Sequence, residues 1–203
     1  MTKECREAYD TFLGTVKTDL TEFIDQMDYS EIEKAADLIK EAQKNGNRVH
    51  ISGIGKPGHI AGYIASLMSS TGNPTYFLHG TEAVHGSCGQ LVPGDVVIFI
   101  SNSGQTNEMR ATITAVINNG CKVIGVSGGR DSWLAEHSDA FIYAGVKAEG
   151  GPLNRAPRMC ILAETLVLQA LSTVLQQDKD ITPQQYVKWH PGGTLGHLRE
   201  NEK

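Results

Sequence analysis

The chain has 203 residues, 40% of them hydrophobic and 20% charged, so it is long enough for one ordinary domain or two cramped ones and is not disordered. Eighteen basic against 23 acidic side chains give a formal net charge of −5 without a contiguous basic block, which argues against nucleic acid as a partner. The apolar runs, of which Val96–Ile100 is typical, are too short to cross a bilayer, and no apolar signal core follows Met1, so a cytoplasmic protein without membrane contact is expected.

Residues 1–46 read as a helical extension. Tyr9, Phe12, Leu13, Val16, Leu20, Phe23, Ile24 and Met27 recur at helical spacing, and a second stripe follows in Ile32, Ala35, Ala36, Leu38, Ile39 and Ala42. Asn45-Gly46-Asn47 ends that stripe as a C-cap. Neither helix carries chemistry, and both are expected to cover a sheet or another subunit. From Arg48 onward, short β-branched runs alternate with helical patterns. Strands are predicted at Arg48–Ser52, Thr75–Leu78, Asp95–Ser101, Lys122–Ser127 and Ala140–Ala144, with helices at about 57–71, 106–119 and 131–137 and a long apolar one from Ile161 to Leu175. Residues 47–203 therefore read as one α/β domain of doubly wound type, its sheet covered on both faces. Val96–Ile100, apolar on both faces, suits a central parallel strand. The four cysteines, Cys5, Cys88, Cys121 and Cys160, lie far apart and form neither a zinc knuckle nor a disulfide scaffold, so reduced thiols are expected.

In such sheets ligands bind beyond the carboxyl ends of the strands, where the strand order reverses. Two bends at those ends are unusual. The first, Ser52-Gly53-Ile54-Gly55-Lys56-Pro57-Gly58, satisfies the dinucleotide pattern literally, yet His79 and Gly80 stand where the ribose-binding acid belongs, and Glu82 comes late. The P-loop spacing around Lys56 is absent. Gly53 and Gly55 serve a tight strand-to-helix turn, and Lys56 at its mouth favours an anion. The second bend, Ser101-Asn102-Ser103-Gly104-Gln105-Thr106, leads into a helix start, where outward N–H groups and the dipole attract negative charge. One hydroxyl is expected to cap the helix, and this bend has three, which favours phosphate. If the strands run in the order 2-1-3-4-5, both bends flank the switch point and grip a small phosphorylated ligand.

Groups for proton transfer lie close by in sequence. Glu108 follows Thr106 in the first helical turn, and His79 and His85 bracket the loop after the second strand. His190 opens the glycine-rich segment His190-Pro191-Gly192-Gly193-Thr194-Leu195-Gly196. A carboxylate, imidazoles and a phosphate anchor suit proton shuttling on a sugar phosphate. His50, His59, His137 and His197 lack such company and are read as structural.

Together, Gly53-Ile54-Gly55-Lys56, Ser101-Asn102-Ser103-Gly104, the His79–His85 stretch and the His190–Gly196 segment resemble the sugar isomerase (SIS) domain of D-arabinose-5-phosphate isomerases, over roughly Arg48 to Leu198. The resemblance implies a three-layer α/β/α sandwich with a five-stranded parallel sheet, a homotetramer, and cofactor-free and metal-free interconversion of D-ribulose 5-phosphate and D-arabinose 5-phosphate through a cis-enediol. It implies catalytic roles for Lys56, His85, Glu108 and His190, the last supplied by a neighbouring subunit, and substrate contacts from Gly53, Gly55, His79 and the 101–106 bend. The chain resembles the short form, without the CBS pair of longer members. It departs from the family at Pro57, where serine is the rule, and at Arg158-Met159-Cys160, where hydroxylated residues contact the sugar. Isomerisation of another ketose phosphate and non-catalytic sugar-phosphate binding are the alternatives.

Overall fold

A computed structural model describes all 203 residues. Five strands, β1 (Val49–Gly53), β2 (Thr75–Phe77), β3 (Val96–Ile100), β4 (Lys122–Ser127) and β5 (Ala140–Tyr143), form one sheet in the order β2-β1-β3-β4-β5. Every neighbouring pair is parallel. The expected strands fall within two residues of the observed ones, and the reversal of order lies between β1 and β3. β3 is central and buried at all its positions, as its two-faced apolarity requires.

The helices are α1 (Lys3–Asp25), α2 (Tyr29–Lys44), α3 (Lys56–Ser70), α4 (Asn107–Asn118), α5 (Trp133–Glu136), α6 (Met159–Gln177) and α7 (Pro183–Trp189). Strand alternation sorts the core into two. Val49, Ile51, Val96, Ile98, Ile100, Ile124 and Val126 turn towards α2, α3 and α6, whereas Val97, Phe99 and Val123 turn towards α4 and α5. The result is the expected three-layer sandwich.

The two N-terminal helices differ in their burial. α2 puts Ile32, Ala35, Ala36, Ile39 and Ala42 into the main core. α1 buries only Phe23, and Tyr9, Leu13 and Ile24 of its stripe remain exposed. α6 corrects the reading of apolar runs: by length and composition this helix could cross a bilayer. It packs instead between α2 and α3 over the sheet and contributes Ala163, Val167, Leu168, Leu171 and Leu175 to the core. α7 has no counterpart among the expected elements, although Pro183 stands in its first turn and Thr182 and Gln185 form a capping box.

At the amino ends of the strands, Asp95 is fully buried and accepts hydrogen bonds from the Arg48 N–H at 2.9 Å and the Val92 N–H at 3.0 Å, with the Arg48 guanidinium at 3.2 Å. A buried carboxylate needs such partners, and these tie the starts of β1 and β3 together. His50 fills the same corner, 3.3 Å from Asp95, in the structural role expected of it.

Candidate active site

Three bends meet at the carboxyl ends of β1, β2 and β3. Gly53 ends β1, and α3 folds straight back from it: a Cβ on Gly53 would lie 2.7 Å from the Pro57 carbonyl carbon, so a side chain there would push the helix off the strand. Gly55 caps α3 with φ at +69°, a conformation that favours glycine. Lys56 opens the helix and is exposed. The bend after β2 leans on this turn, because a Cβ on Gly80 would meet the Ile54 side chain at 2.6 Å. Thr112 of α4 donates its hydroxyl to the Gly80 carbonyl at 2.5 Å and holds the same bend from the other side.

The 101–106 bend is built to leave donors free. Ser101 Oγ accepts the Gly104 N–H and Ser103 Oγ accepts the Gln105 N–H, each at 3.2 Å. As acceptors, both hydroxyls keep their own protons available. Thr106 stands at the N-cap of α4 but forms no side-chain cap, so the expected hydroxyl cap is not made and the helix start keeps unpaired N–H groups. Gly104 takes φ of +61° and sits against Ser132, which caps α5 through the Ala135 N–H.

Between the bends lies a cleft of about 250 Å³. Ile54 and Pro57 come from the first bend, and Ser101, Asn102, Ser103 and Thr106 from the second. Ile100 and Met109 close the sheet side, and Pro157, Cys160 and Ile161, at the start of α6, form the opposite wall. Lys56 and Glu108 adjoin these lining residues in sequence and are both exposed.

The histidines are distributed unevenly. His79 is exposed after β2, and its Nδ1 accepts from the N–H groups of Thr81 and Glu82 at 3.4 and 3.3 Å. That assigns the proton of the neutral ring to Nε2. His85 ends the 3₁₀ turn Glu82–His85 and is exposed as well. Neither ring lines the cleft. His190 stands apart from its expected companions. The neighbouring Trp189 lies against Gly72, just past the far end of α3, and a helix of this length spans about 22 Å. The His190 ring stacks on Tyr186, its Nδ1 2.9 Å from the Tyr186 carbonyl oxygen. One chain thus brings the two bends to one cleft, with Glu108 next in sequence to its lining, but leaves His190 at the opposite end of the sheet.

Residues 43–173 match the SIS domain. The chain belongs to the SIS domain family. It is 33% identical over 196 residues to arabinose 5-phosphate isomerase KdsD of Francisella tularensis, an alignment that takes in 97% of this chain and 59% of that protein. It is 36% identical over 158 residues to KdsD of Escherichia coli K12, covering 76% of this chain and 48% of the relative. The chain spans about half the length of the curated relatives it matches. Among solved structures, c3406 of E. coli CFT073 in complex with arabinose 5-phosphate superposes with a TM-score of 0.83 at 33% identity, over 94% of this chain and all of that one.

In this SIS domain the wall at the start of α6 is the part the sequence motifs did not reveal. The departure at Arg158-Met159-Cys160 pointed to the segment but not to its arrangement. Arg158 turns away from the cleft: its Nη1 donates to the Ala156 carbonyl at 3.4 Å, and its side chain lines a neighbouring hollow with Pro152, Leu153 and Arg155. Glu149 and Glu164, which flank the wall in sequence, carry no motif. Glu164 is fully buried on α6, and neither of its oxygens has a hydrogen-bond partner. Burial, with the charge of Glu149 second, raises its pKa to about 8.

Proposed function

We propose that this SIS domain is a cofactor-free aldose–ketose isomerase of a phosphorylated sugar, interconverting D-arabinose 5-phosphate and D-ribulose 5-phosphate. The observation that carries the reading is the convergence of the hydroxyl-bearing bend and the glycine–lysine bend on one cleft, at the point where the strand order reverses. The names of the relatives support the same substrate. In this reading the phosphate takes the 101–106 bend, receiving the Ser101 and Ser103 hydroxyl protons and the free N–H groups at the start of α4. Gly53, Gly55, His79, Asn102, Gly104, Gln105 and Thr106 complete the binding set. Anchoring the phosphate converts remote binding energy into a fixed orientation of C1 and C2.

Isomerisation then requires a base and a stabiliser of negative charge. The base removes the C2 proton of the aldose and returns a proton to C1 through a cis-enediol, and Lys56 stabilises the enediolate oxygen. Glu108, His85 and His190 are the candidate bases. His79, with its proton on Nε2, is suited to donate to the substrate instead. His190 acts in this reading from a neighbouring subunit, which makes a homotetramer part of the site, and the enzyme works in the cytoplasm.

The test is to incubate the purified protein with arabinose 5-phosphate and follow ketose formation by NMR, with other pentose and hexose phosphates in parallel. Ketose from arabinose 5-phosphate is expected. Turnover of a different sugar phosphate alone would move the substrate, and thermal stabilisation without any turnover would make the protein a binding module. With Glu108 as base, Glu108→Gln lowers kcat by ~10²–10⁴-fold and leaves inhibition by inorganic phosphate unchanged. Full activity in this variant removes Glu108 from the mechanism.

A further inference from the structure

The wall formed by Pro157, Cys160 and Ile161 belongs to the start of a 19-residue helix, α6, and a helix start ordinarily turns unpaired N–H groups outward. Here the chain has supplied its own anion. Glu149 Oε2 accepts the Arg158 N–H at 2.6 Å and the Cys160 N–H at 3.3 Å, and the Met159 N–H acts on the same carboxylate. Burial works against ionisation of Glu149, but these donors and the Cys160 thiol hold its carboxyl below the usual range. The thiol faces that carboxylate, and burial first and Glu149 second push its pKa well up, so it remains neutral. A neutral thiol is a weak donor. The Arg158 guanidinium is turned to Ala156 and Gly151. Neither the Cys160 thiol nor the Arg158 guanidinium is therefore free to bind a ligand on this side of the cleft.

We propose that this wall is blind to hydroxyl groups: the site reads the phosphate and the reacting carbons, but not the sugar hydroxyl that faces Pro157, Cys160 and Ile161, and so it accepts a deoxy sugar phosphate lacking that hydroxyl. The inference rests on the isomerase reading and narrows its substrate class. A site that hydrogen-bonds a hydroxyl rejects the analogue lacking it by ~10⁴–10⁵-fold, because buried partners are left unpaired. A wall of Pro157, Ile161 and a thiol turned to Glu149 has no side-chain partner to strand. The hydroxyls open to this neglect are those on C3 and C4, since C1 and C2 react and C5 carries the phosphate.

The experiment compares kcat/KM for arabinose 5-phosphate with that for its 3-deoxy and 4-deoxy analogues. One analogue is expected to be turned over within about tenfold of the parent, far from the ~10⁴-fold rejection of a hydroxyl-reading site. In Cys160→Ser the new oxygen accepts from a substrate hydroxyl even while its proton goes to Glu149, so preference for the parent over that analogue rises at least about tenfold. Cys160→Ala keeps the wall apolar and leaves the preference where it was, which separates recognition from any loss of folding. Rejection of both analogues by more than about 10³-fold while the parent is turned over overturns the proposal. So does an unchanged preference in Cys160→Ser. Failure to turn over arabinose 5-phosphate itself sinks the isomerase reading instead.

Discussion

Two helix starts face the same cleft and have opposite fates. At α4 the cap residue Thr106 makes no side-chain bond, and the serine hydroxyls beside it accept backbone N–H groups while keeping their own protons. At α6 the Glu149 carboxylate occupies the N–H groups of Arg158 and Cys160. Both ends carry the same partial positive charge. What separates an anion site from a structural joint is whether the chain brings a carboxylate of its own. The α4 end stays open, and the α6 end is sealed.

The largest change should come from disturbing the open end. Gly104→Ala forces a side chain into φ of +61° and against Ser132, so a loss of about 2–4 kcal/mol in stability and a raised KM are expected. Gly55→Ala is the control, since Gly55 has φ of +69° but open space around it, and about 1 kcal/mol is expected by denaturant titration. Equal losses at the two positions would mean that the contact with Ser132 does not shape the bend.

Unsealing the other end should come next. Glu149→Ala leaves the N–H groups of Arg158 and Cys160 without an acceptor, at a cost of about 1–3 kcal/mol. The emptied helix start should then take an external anion, so millimolar inorganic phosphate is expected to raise the Tm of this variant more than that of the parent. An equal rise in both would erase the contrast between the ends.

The most gradual effect, about 1.4 kcal/mol for each pH unit, concerns Glu164, one turn beyond Cys160 on α6. Its folded pKa of about 8 lies above the ordinary value of 4.5. Below pH 4.5 the folded and unfolded chains both hold the proton; between the two values only the folded chain does. Stability from this group is therefore full at low pH and lost as pH rises through that window. Glu164→Gln should flatten the decline between pH 5 and 8 in urea titrations. An unchanged slope would show that the carboxyl already ionises normally in the folded protein.

The architecture was legible because its signals are local. Val96–Ile100 is apolar at every position and could only be an inner strand, and the glycines at 53 and 104 marked turns that a Cβ would obstruct. Parallel strands then bring the two bends to one end of the sheet, so their meeting followed from topology once the order 2-1-3-4-5 held. α1 was legible as a helix, and its stripe predicted a face covered by the sheet or by another subunit; within one chain Tyr9 and Leu13 are exposed. Periodicity states which side of a helix is apolar and says nothing about what lies against it.

By itself the sequence determined the three-layer sheet, the placing of the 101–106 bend at a helix start and the family of the fold, because hydrophobic period and turn chemistry act over a few residues. Only the tertiary structure decided that Thr106 leaves the start of α4 uncapped, that Glu149 reaches across eight intervening residues to seal α6, that Cys160 and Ile161 become a wall, and that His190 stands at the far end of α3. Those contacts depend on how the chain returns to itself through space, and no pattern in neighbouring residues encodes the return.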